Sequence, residues 1–576
     1  MKLTEYRLRL AWYLSACLLA VFTYFYGLDG QHIPKNGDEY PYEHIVRLTA
    51  ASGELLPLQS QMENMRNTKP PLLFWQGIIS TGWGSDWALW QLRYPSVIYT
   101  LLTATLLLLL GRKLSGEIET GFIAALTFLA FFTTYRFGRP FLTNPPEVFW
   151  IFLPFFVLLY WRAAFASRFF IPLLLGISIG IGFLYKSFAL GLPVTLGLAG
   201  WYLHQRQYDV QSFLKQDTLK VAIAISIAVA MFGLWFVLDP NPQAVWREFV
   251  VGENVGKFDP HGPGYVEKLL WGGSSLWSYT LAFLTNAGLL TFIVLALISV
   301  AWKNRRQLSH EEQMLWILLA AFFISFSLPS QRSGRYLLDV MPAAALLCAL
   351  NWQQISRKAF VACLVLAGLV LAGLAYLAAL LQAGMAGVQL FTLGFWLLIS
   401  FTAILSLLAI ALPRYTRDSV NVVALLVLLC FAAFLKPLDG EPGNYSGDAK
   451  KHAAGKDVWV PCNFRAVDEG HRFILPGAEI HGYSEDQNLT AEELAVRYPL
   501  FAVRLPMNAS PQDIGCASCK IIGQRMDIRG RHNSSELKEM LMEGKIFQHL
   551  FIREVLVESP EGGRMLLTES LAQTCR

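Results

Sequence analysis

The sequence predicts a mainly α, polytopic membrane protein. It reads as a bundle of about thirteen transmembrane helices with interfacial helices on the outer face, followed by a C-terminal soluble α/β domain. Three observations carry this. The 576 residues are 54% hydrophobic and only 15% charged, against about 25% charged in an average soluble chain. The apolar residues come in blocks mostly long enough to cross a bilayer as helices. The pattern then changes at 437, where the chain turns polar. A net charge of +5 is too mild to point to a nucleic-acid partner.

The spans are expected near 9–28, 93–111, 119–135, 147–163, 168–185, 187–203, 219–238, 279–301, 313–328, 336–351, 358–382, 390–412 and 418–436. The first block is too long and too aromatic for a removable signal peptide, with no small-residue cleavage site after it, so it reads as a retained helix. Small-residue runs in 170–200 and 365–385 read as close helix packing.

Orientation follows from lysine and arginine in short loops. With Lys2, Arg7 and Arg9 in the cytoplasm, the inner loops are GRKLSGE, YWRAAFASR, HQRQYDVQSFLKQDTLK, KNRRQLSHEE, QQISRK and PRYTRDS, all basic. An odd number of spans then places 437–576 outside. The membrane domain is 1–436 and the tail domain 437–576. FRAVDEGHRFILPGAEI in the tail reads as strand-like, and SSELKEMLMEGKIFQHLF as helical. Cys462, Cys516, Cys519 and Cys575 all fall in the tail, which in an exported domain implies two disulfides with three possible connectivities. The pair in CASC is alternatively a metal or redox pair. Cys17, Cys348, Cys363 and Cys430 lie in spans as small packing residues.

The outer side holds two long polar loops, about 29–92 and 239–278. In the first, EYPYEHIVRLTAASGE reads as an amphipathic helix on the membrane surface. In NTKPPLLFWQGIISTGW, Pro70 and Pro71 start a second interfacial helix, and Trp83, Trp87 and Trp90 fit an aromatic belt. Lys69, Arg93, Arg136, Arg139, Lys186 and Arg335 are expected at outer helix ends, against the bias that keeps cations inside. Cations around one cavity suit a phosphate or pyrophosphate. Just outside the first span, KNGDEYPYEH places Asp38 and Glu39 side by side. A carboxylate facing such cations is the arrangement for glycosyl transfer from a lipid phosphate. The cations hold the departing phosphate, and the acid takes the proton of an attacking hydroxyl. Each residue has a plainer role open to it. Asp38 and Glu39 can cap a helix, Lys69 can snorkel, and Glu253 can pair with Lys257. His44 and His261 belong to no spaced ligand set, so no metal is expected beyond a divalent ion at Asp38–Glu39 as a minor alternative.

In order along the chain, NGDEYPY, TKPPLLFW, WQLRYPSVIYTLLTATLLLLLGRKLSG, RFGRPFLTNPPEVFW, GFLYKSFALGLPV and SGRYLLDVMPAAALL resemble the ArnT-like, dolichyl-phosphate-mannose-protein-mannosyltransferase-like branch of the GT-C membrane glycosyltransferases. Each motif is weak alone; their order is specific. The resemblance implies a polyprenyl-phosphate-linked sugar donor of the undecaprenyl type, an acceptor on the outer face, and inversion at the anomeric centre. It makes Asp38 the catalytic acid. Lys69, Lys186, Arg335 and Tyr336 fall in blocks that bind donor phosphate or shape the cavity. Glu39, Tyr42, Arg139, Asn144 and Glu253 complete the expected substrate-binding set. The family usually has arginine where Pro41 stands and often aspartate where Asn144 stands, so the sugar and the acceptor stay open. The acceptor is a lipid such as lipid A or lipopolysaccharide, or alternatively an exported protein such as a pilin. An O-antigen ligase and a non-enzymatic lipid-sugar transporter are the other readings. A transporter tends to show internal repeats and midplane polar sites, and no repeat is visible here.

Overall fold

The computed structural model describes residues 3–560 apart from 35, 63, 255–263, 272–273, 331, 386–387, 511, 513, 530–533 and 544. All thirteen apolar blocks are helical. Six helices, or seven with one bent pair counted as a span, are long and apolar enough to cross a membrane, and three more are apolar but shorter. The chain is a multi-pass membrane protein.

Three expected spans are broken. The block 279–301 is two helices, Leu276–Asn286 and Gly288–Lys303, bent by 102°. The block 119–135 divides at Phe131, which is extended (φ −64°, ψ 131°), into Ile118–Ala130 and Phe132–Phe137. The block 336–351 begins as a 3-10 turn, Gly334–Val340, before the α-helix Met341–Leu350. Hydropathy sees only the apolar run; non-helical backbone at such positions is tolerated where it lines a cavity, and Gly334–Val340 does so.

Helix Phe170–Tyr185 packs along Thr218–Leu238, and Leu89–Ser115 along Ile118–Ala130 and Asn144–Tyr160. A Cβ on Gly176 would meet the Ala224 carbonyl oxygen at 2.6 Å, so the small residues of 170–200 do permit close approach. In the second run Ala367 and Ala378 are buried, but not every small residue is at a contact. Gly368 and Gly373 have no atom within 4 Å of where a Cβ would stand, so they face away from the contacts of Arg357–Gly384.

Both interfacial helices form, as Glu39–Ser52 and Leu72–Ser80, the latter with Pro71 at its N-cap. The first does not simply lie on a surface. Tyr42, Glu43, His44, Ile45, Val46 and Thr49 are all buried: Tyr42, Ile45 and Val46 share a cluster with Leu73, Phe74, Ile78 and Phe141, and His44 is covered by Glu469 of the C-terminal domain.

That domain carries a five-stranded sheet: β1 (Asp457–Cys462), β2 (Glu479–Ser484), β3 (Leu500–Pro506), β4 (Lys520–Ile528) and β5 (Phe551–Glu558). The order is β2-β1-β3-β5-β4. β1 pairs in parallel with β2 and β3; β5 pairs antiparallel with β3 and β4. The segment read as strand-like is instead a loop and the helix Glu469–Ile474, with only its end entering β2. Its apolar alternation reflects packing on both sides of a short helix. Cys516 and Cys519 are disulfide-bonded to each other; Cys462 is also disulfide-bonded. Cys575 and His261 lie outside the described residues.

Candidate active site

The two domains meet at a cluster around Glu469. Its carboxylate accepts from Arg47 (2.6 and 3.0 Å) and Arg472 (3.0 Å) and contacts His44 Nδ1 at 2.6 Å. Burial alone pushes this carboxyl up, but the bonds from His44 and Arg47 and the charges of Arg47 and Arg472 outweigh it and hold it well below the usual carboxylate range. His44, which belongs to no ligand set, is a buried docking residue. Trp87 stacks on Phe473 at 5.9 Å with ring planes 10° apart, so the C-terminal domain, rather than a lipid interface, covers it. Trp83 and Trp90 are exposed.

Beside this junction lies a cavity of about 450 Å³. Helix Glu39–Ser52 brings Asp38 and Tyr42 to it. The turn before Leu72–Ser80 brings Lys69. Lys186 follows Phe170–Tyr185, and Arg335 and Tyr336 come from Gly334–Val340. Glu253 sits at the end of the π-helix Trp246–Asn254 in the second long loop. Seven of the ten residues singled out from the sequence therefore line one cavity, although up to 298 positions separate them in the chain.

Asp38 occupies the N-cap position of its helix, but its side chain makes no cap hydrogen bond. Oδ2 instead accepts from Arg335 Nη1 at 2.5 Å. Arg335 Nε donates to Asn144 Oδ1 at 2.7 Å, which fixes the guanidinium plane. Lys186 Nζ lies 2.7 Å from Glu147 Oε2 and 5.8 Å from the centroid of the Tyr336 ring. Lys69 Nζ donates to the Thr68 carbonyl at 2.9 Å and is ion-paired with Glu253. Burial and the Asp38 carboxylate push the Tyr42 phenol up, so it stays protonated and able to donate.

Three expected site residues lie outside the cavity. Glu39 is 1% exposed and takes a two-point grip from buried Arg93 (2.8 and 3.1 Å). It also accepts from the Phe141 and Asn36 backbone N–H groups at 2.7 and 3.0 Å. A helix turn separates consecutive side chains by about 100°, so when Asp38 faces the cavity Glu39 faces the core. Arg139 is fully buried, with Nε on the Tyr24 carbonyl (2.9 Å), and further bonds to the Tyr26 carbonyl and the Tyr135 hydroxyl; it ties the first helix to the turn after Phe132–Phe137. Asn144 is buried behind Arg335 and acts through it. Of the remaining outer cations, Arg93 belongs to Glu39, and Arg136 lies over the Phe132 and Phe137 rings.

The sequence reading missed Glu147, and the signal was available: an acid opening an apolar helix after TNPP needs a partner. It also missed Phe464 and Arg465, which line the cavity from the C-terminal domain. No local pattern marks them, since only the docking of two domains brings them there.

Residues 37–247 match the family model described as dolichyl-phosphate-mannose-protein mannosyltransferase. Among curated relatives, undecaprenyl phosphate-alpha-4-amino-4-deoxy-L-arabinose arabinosyl transferase 2 of Proteus mirabilis is 26% identical over 363 residues, covering 60% of each chain. The corresponding transferase of a Pseudomonas aeruginosa strain is 30% identical over 269 residues, covering 45% of each. The chain thus matches about three-fifths or less of these relatives' length. The crystal structure of ArnT from Cupriavidus metallidurans bound to undecaprenyl phosphate superposes with a TM-score of 0.61 at 17% identity, over 96% of this chain and 99% of that one. The chain resembles the ArnT-like, dolichyl-phosphate-mannose-protein-mannosyltransferase-like glycosyltransferases in fold over nearly its whole length and in sequence from residue 37 to 247.

Proposed function

We propose that this protein is an inverting glycosyltransferase that moves a sugar from an undecaprenyl-phosphate-type donor to an envelope acceptor on the periplasmic face, in the bacterial inner membrane with its N-terminus in the cytoplasm. The acceptor is a lipid A-like glycolipid. The observation that carries the reading is the meeting, in one cavity, of Asp38 with Lys69, Lys186 and Arg335. The relatives named for transfer from undecaprenyl phosphate support it, as do the six basic loops on the opposite side.

The acceptor oxygen attacks the anomeric carbon from the face opposite the phosphate. The bond from that carbon to the phosphate oxygen breaks, and its electron pair leaves with the polyprenyl phosphate. Lys69 and Lys186 face the growing charge on that phosphate. A hydroxyl acceptor gives its proton to Asp38; a phosphate acceptor is already ionised, and Asp38 then orients it. Arg335, held by Asn144, keeps the Asp38 carboxylate aimed. The three cations supply the positive charge, so the reaction needs no resident cofactor.

The test is mass spectrometry of envelope glycolipids and exported proteins from a deletion strain, complemented with wild type or Asp38→Asn. One sugar mass is expected to vanish from the glycolipid fraction, return with wild type and stay absent with Asp38→Asn. Restoration by the variant refutes the reading; a loss confined to exported proteins refutes the lipid acceptor.

A further inference from the structure

The cations of the cavity differ in one respect. Lys69 is paired with Glu253, Lys186 with Glu147, and Arg335 with Asp38. Arg465 is exposed to the cavity with no carboxylate at ion-pair distance among the described residues. Its guanidinium lies over the Phe464 ring, 5.3 Å from the centroid. A Cβ on Gly37 would stand 3.2 Å from its Nη1, which puts the group against the residue before Asp38.

The loop that carries it is held from both ends. On one side β1 ends in disulfide-bonded Cys462, and Asn463 donates to Glu485 at 3.1 Å and accepts from the Arg465 backbone N–H at 2.9 Å. On the other, the Ala466 N–H returns to the Asn463 carbonyl at 2.9 Å, and Glu469 is locked into the His44–Arg47–Arg472 cluster. Gly470 lies under Tyr40, where a Cβ would come within 3.0 Å of the ring. The side chain is therefore placed at the mouth of the cavity by anchors on both domains, at little further ordering cost when something binds.

We propose that Arg465 of the C-terminal domain binds an anionic group of the acceptor beside Asp38, apart from the lysines that meet the donor phosphate. This rests on the glycosyl-transfer reading for its place in a reaction, but the binding it asserts is separable from turnover. An arginine with no ion pair among the described residues meets a phosphate or carboxylate without first giving one up, and its planar fork can donate two parallel bonds to either. Lys69, Lys186 and Arg335 must share theirs with a resident carboxylate. The C-terminal domain is by this account part of the acceptor site, and its docking orders the site before the acceptor arrives.

The experiment uses the full chain in nanodiscs with two probes, a phosphorylated lipid A-type glycolipid and the same lipid dephosphorylated. Binding is read by native mass spectrometry, and transfer from an undecaprenyl-phosphate-linked sugar is read separately. Arg465→Gln is expected to weaken binding of the phosphorylated lipid by roughly 10-fold or more, the span of a lost charge-assisted hydrogen bond. It should leave the dephosphorylated lipid within twofold, and Arg465→Lys should recover part of the difference. In turnover, the acceptor KM rises while the donor KM moves less than twofold. Equal weakening of both lipids, a rise in donor KM alone, or no change in binding overturns the proposal. If wild type binds the phosphorylated lipid with the Arg465 dependence but transfers nothing, the glycosyl-transfer reading fails and the binding assignment stands.

Discussion

The adjacent carboxylates Asp38 and Glu39 should fail in opposite ways when each is replaced by its amide. Glu39 and Arg93 are respectively 1% and 2% exposed. Glu39→Gln removes the negative charge of a buried pair and leaves the Arg93 guanidinium in the core with neutral acceptors, the remaining amide oxygen and the Leu28 and Gly30 carbonyls (3.1 and 2.6 Å). Breaking a buried pair from one side costs about 3–5 kcal/mol, most of it the uncompensated charge. The same residues tie the first helix, the loop at 28–30 and Phe141 together, so the loss falls on the scaffold under the cavity. Asp38 is different. Its side chain is 45% exposed and its partner Arg335 20%, so solvent screens the pair, and Asp38→Asn should cost about 0–1 kcal/mol. Its loss appears in the reaction instead, at about 10²–10⁴-fold in kcat for a removed general base. The assay is thermal unfolding of both variants in detergent alongside transfer from an undecaprenyl-phosphate-linked sugar. Glu39→Gln with wild-type thermal stability, or Asp38→Asn with wild-type turnover to a hydroxyl acceptor, refutes the division of labour.

Other expectations follow from the same geometry. Lys186→Ala removes a charge-assisted contact of about 1.5–3 kcal/mol and should raise the donor KM by roughly 10- to 150-fold, with acceptor KM little changed; an effect on the acceptor alone contradicts its assignment. Turnover should persist in excess EDTA, and full inhibition reversed by a divalent ion would show that the cations alone are insufficient. Glu469 has its folded pKa depressed, so its contribution to docking is fully present above the unfolded carboxylate value of about 4.3 and fades only as pH falls toward the lower folded value. Protection against hydrogen exchange at 44–47 and 465–475, taken relative to the intrinsic rate at each pH, should therefore match at pH 7 and pH 5, and a junction that opens by pH 5 excludes this account. Gly470→Ala drives a Cβ to within 3.0 Å of Tyr40 and should speed proteolysis between the domains; unchanged cleavage would mean that the ring moves aside freely.

Much of the site was legible because its chemistry breaks local rules. Lys69, Lys186 and Arg335 are cations at helix ends on the side where the loop bias leaves few, and Asp38 is an acid just beyond an apolar span. Such violations are visible in one dimension. What was illegible was rotation and partnership. Glu39 and Arg139 carry the same charges as the cavity residues, and nothing in their neighbours tells a buried partner from a ligand contact. Asn144 was found, but as a contact rather than as the residue that aims Arg335. Glu147 announced itself as an acid in an apolar helix, yet its role depends on Lys186 lying 39 residues away in sequence and 2.7 Å away in space.

The sequence by itself determined that the chain is a multi-pass membrane protein, because burial of apolar side chains in lipid is additive along a helix and needs no long-range contact to be read. It also determined which ionisable groups needed an explanation, since their cost is set by the segment they sit in. Only the tertiary structure decided where the helices break, which face of Glu39–Ser52 turns to the cavity, and that a loop from the C-terminal domain delivers Arg465 beside Asp38. Those outcomes rest on pairing between residues hundreds of positions apart, and such pairing depends on packing that no local pattern encodes.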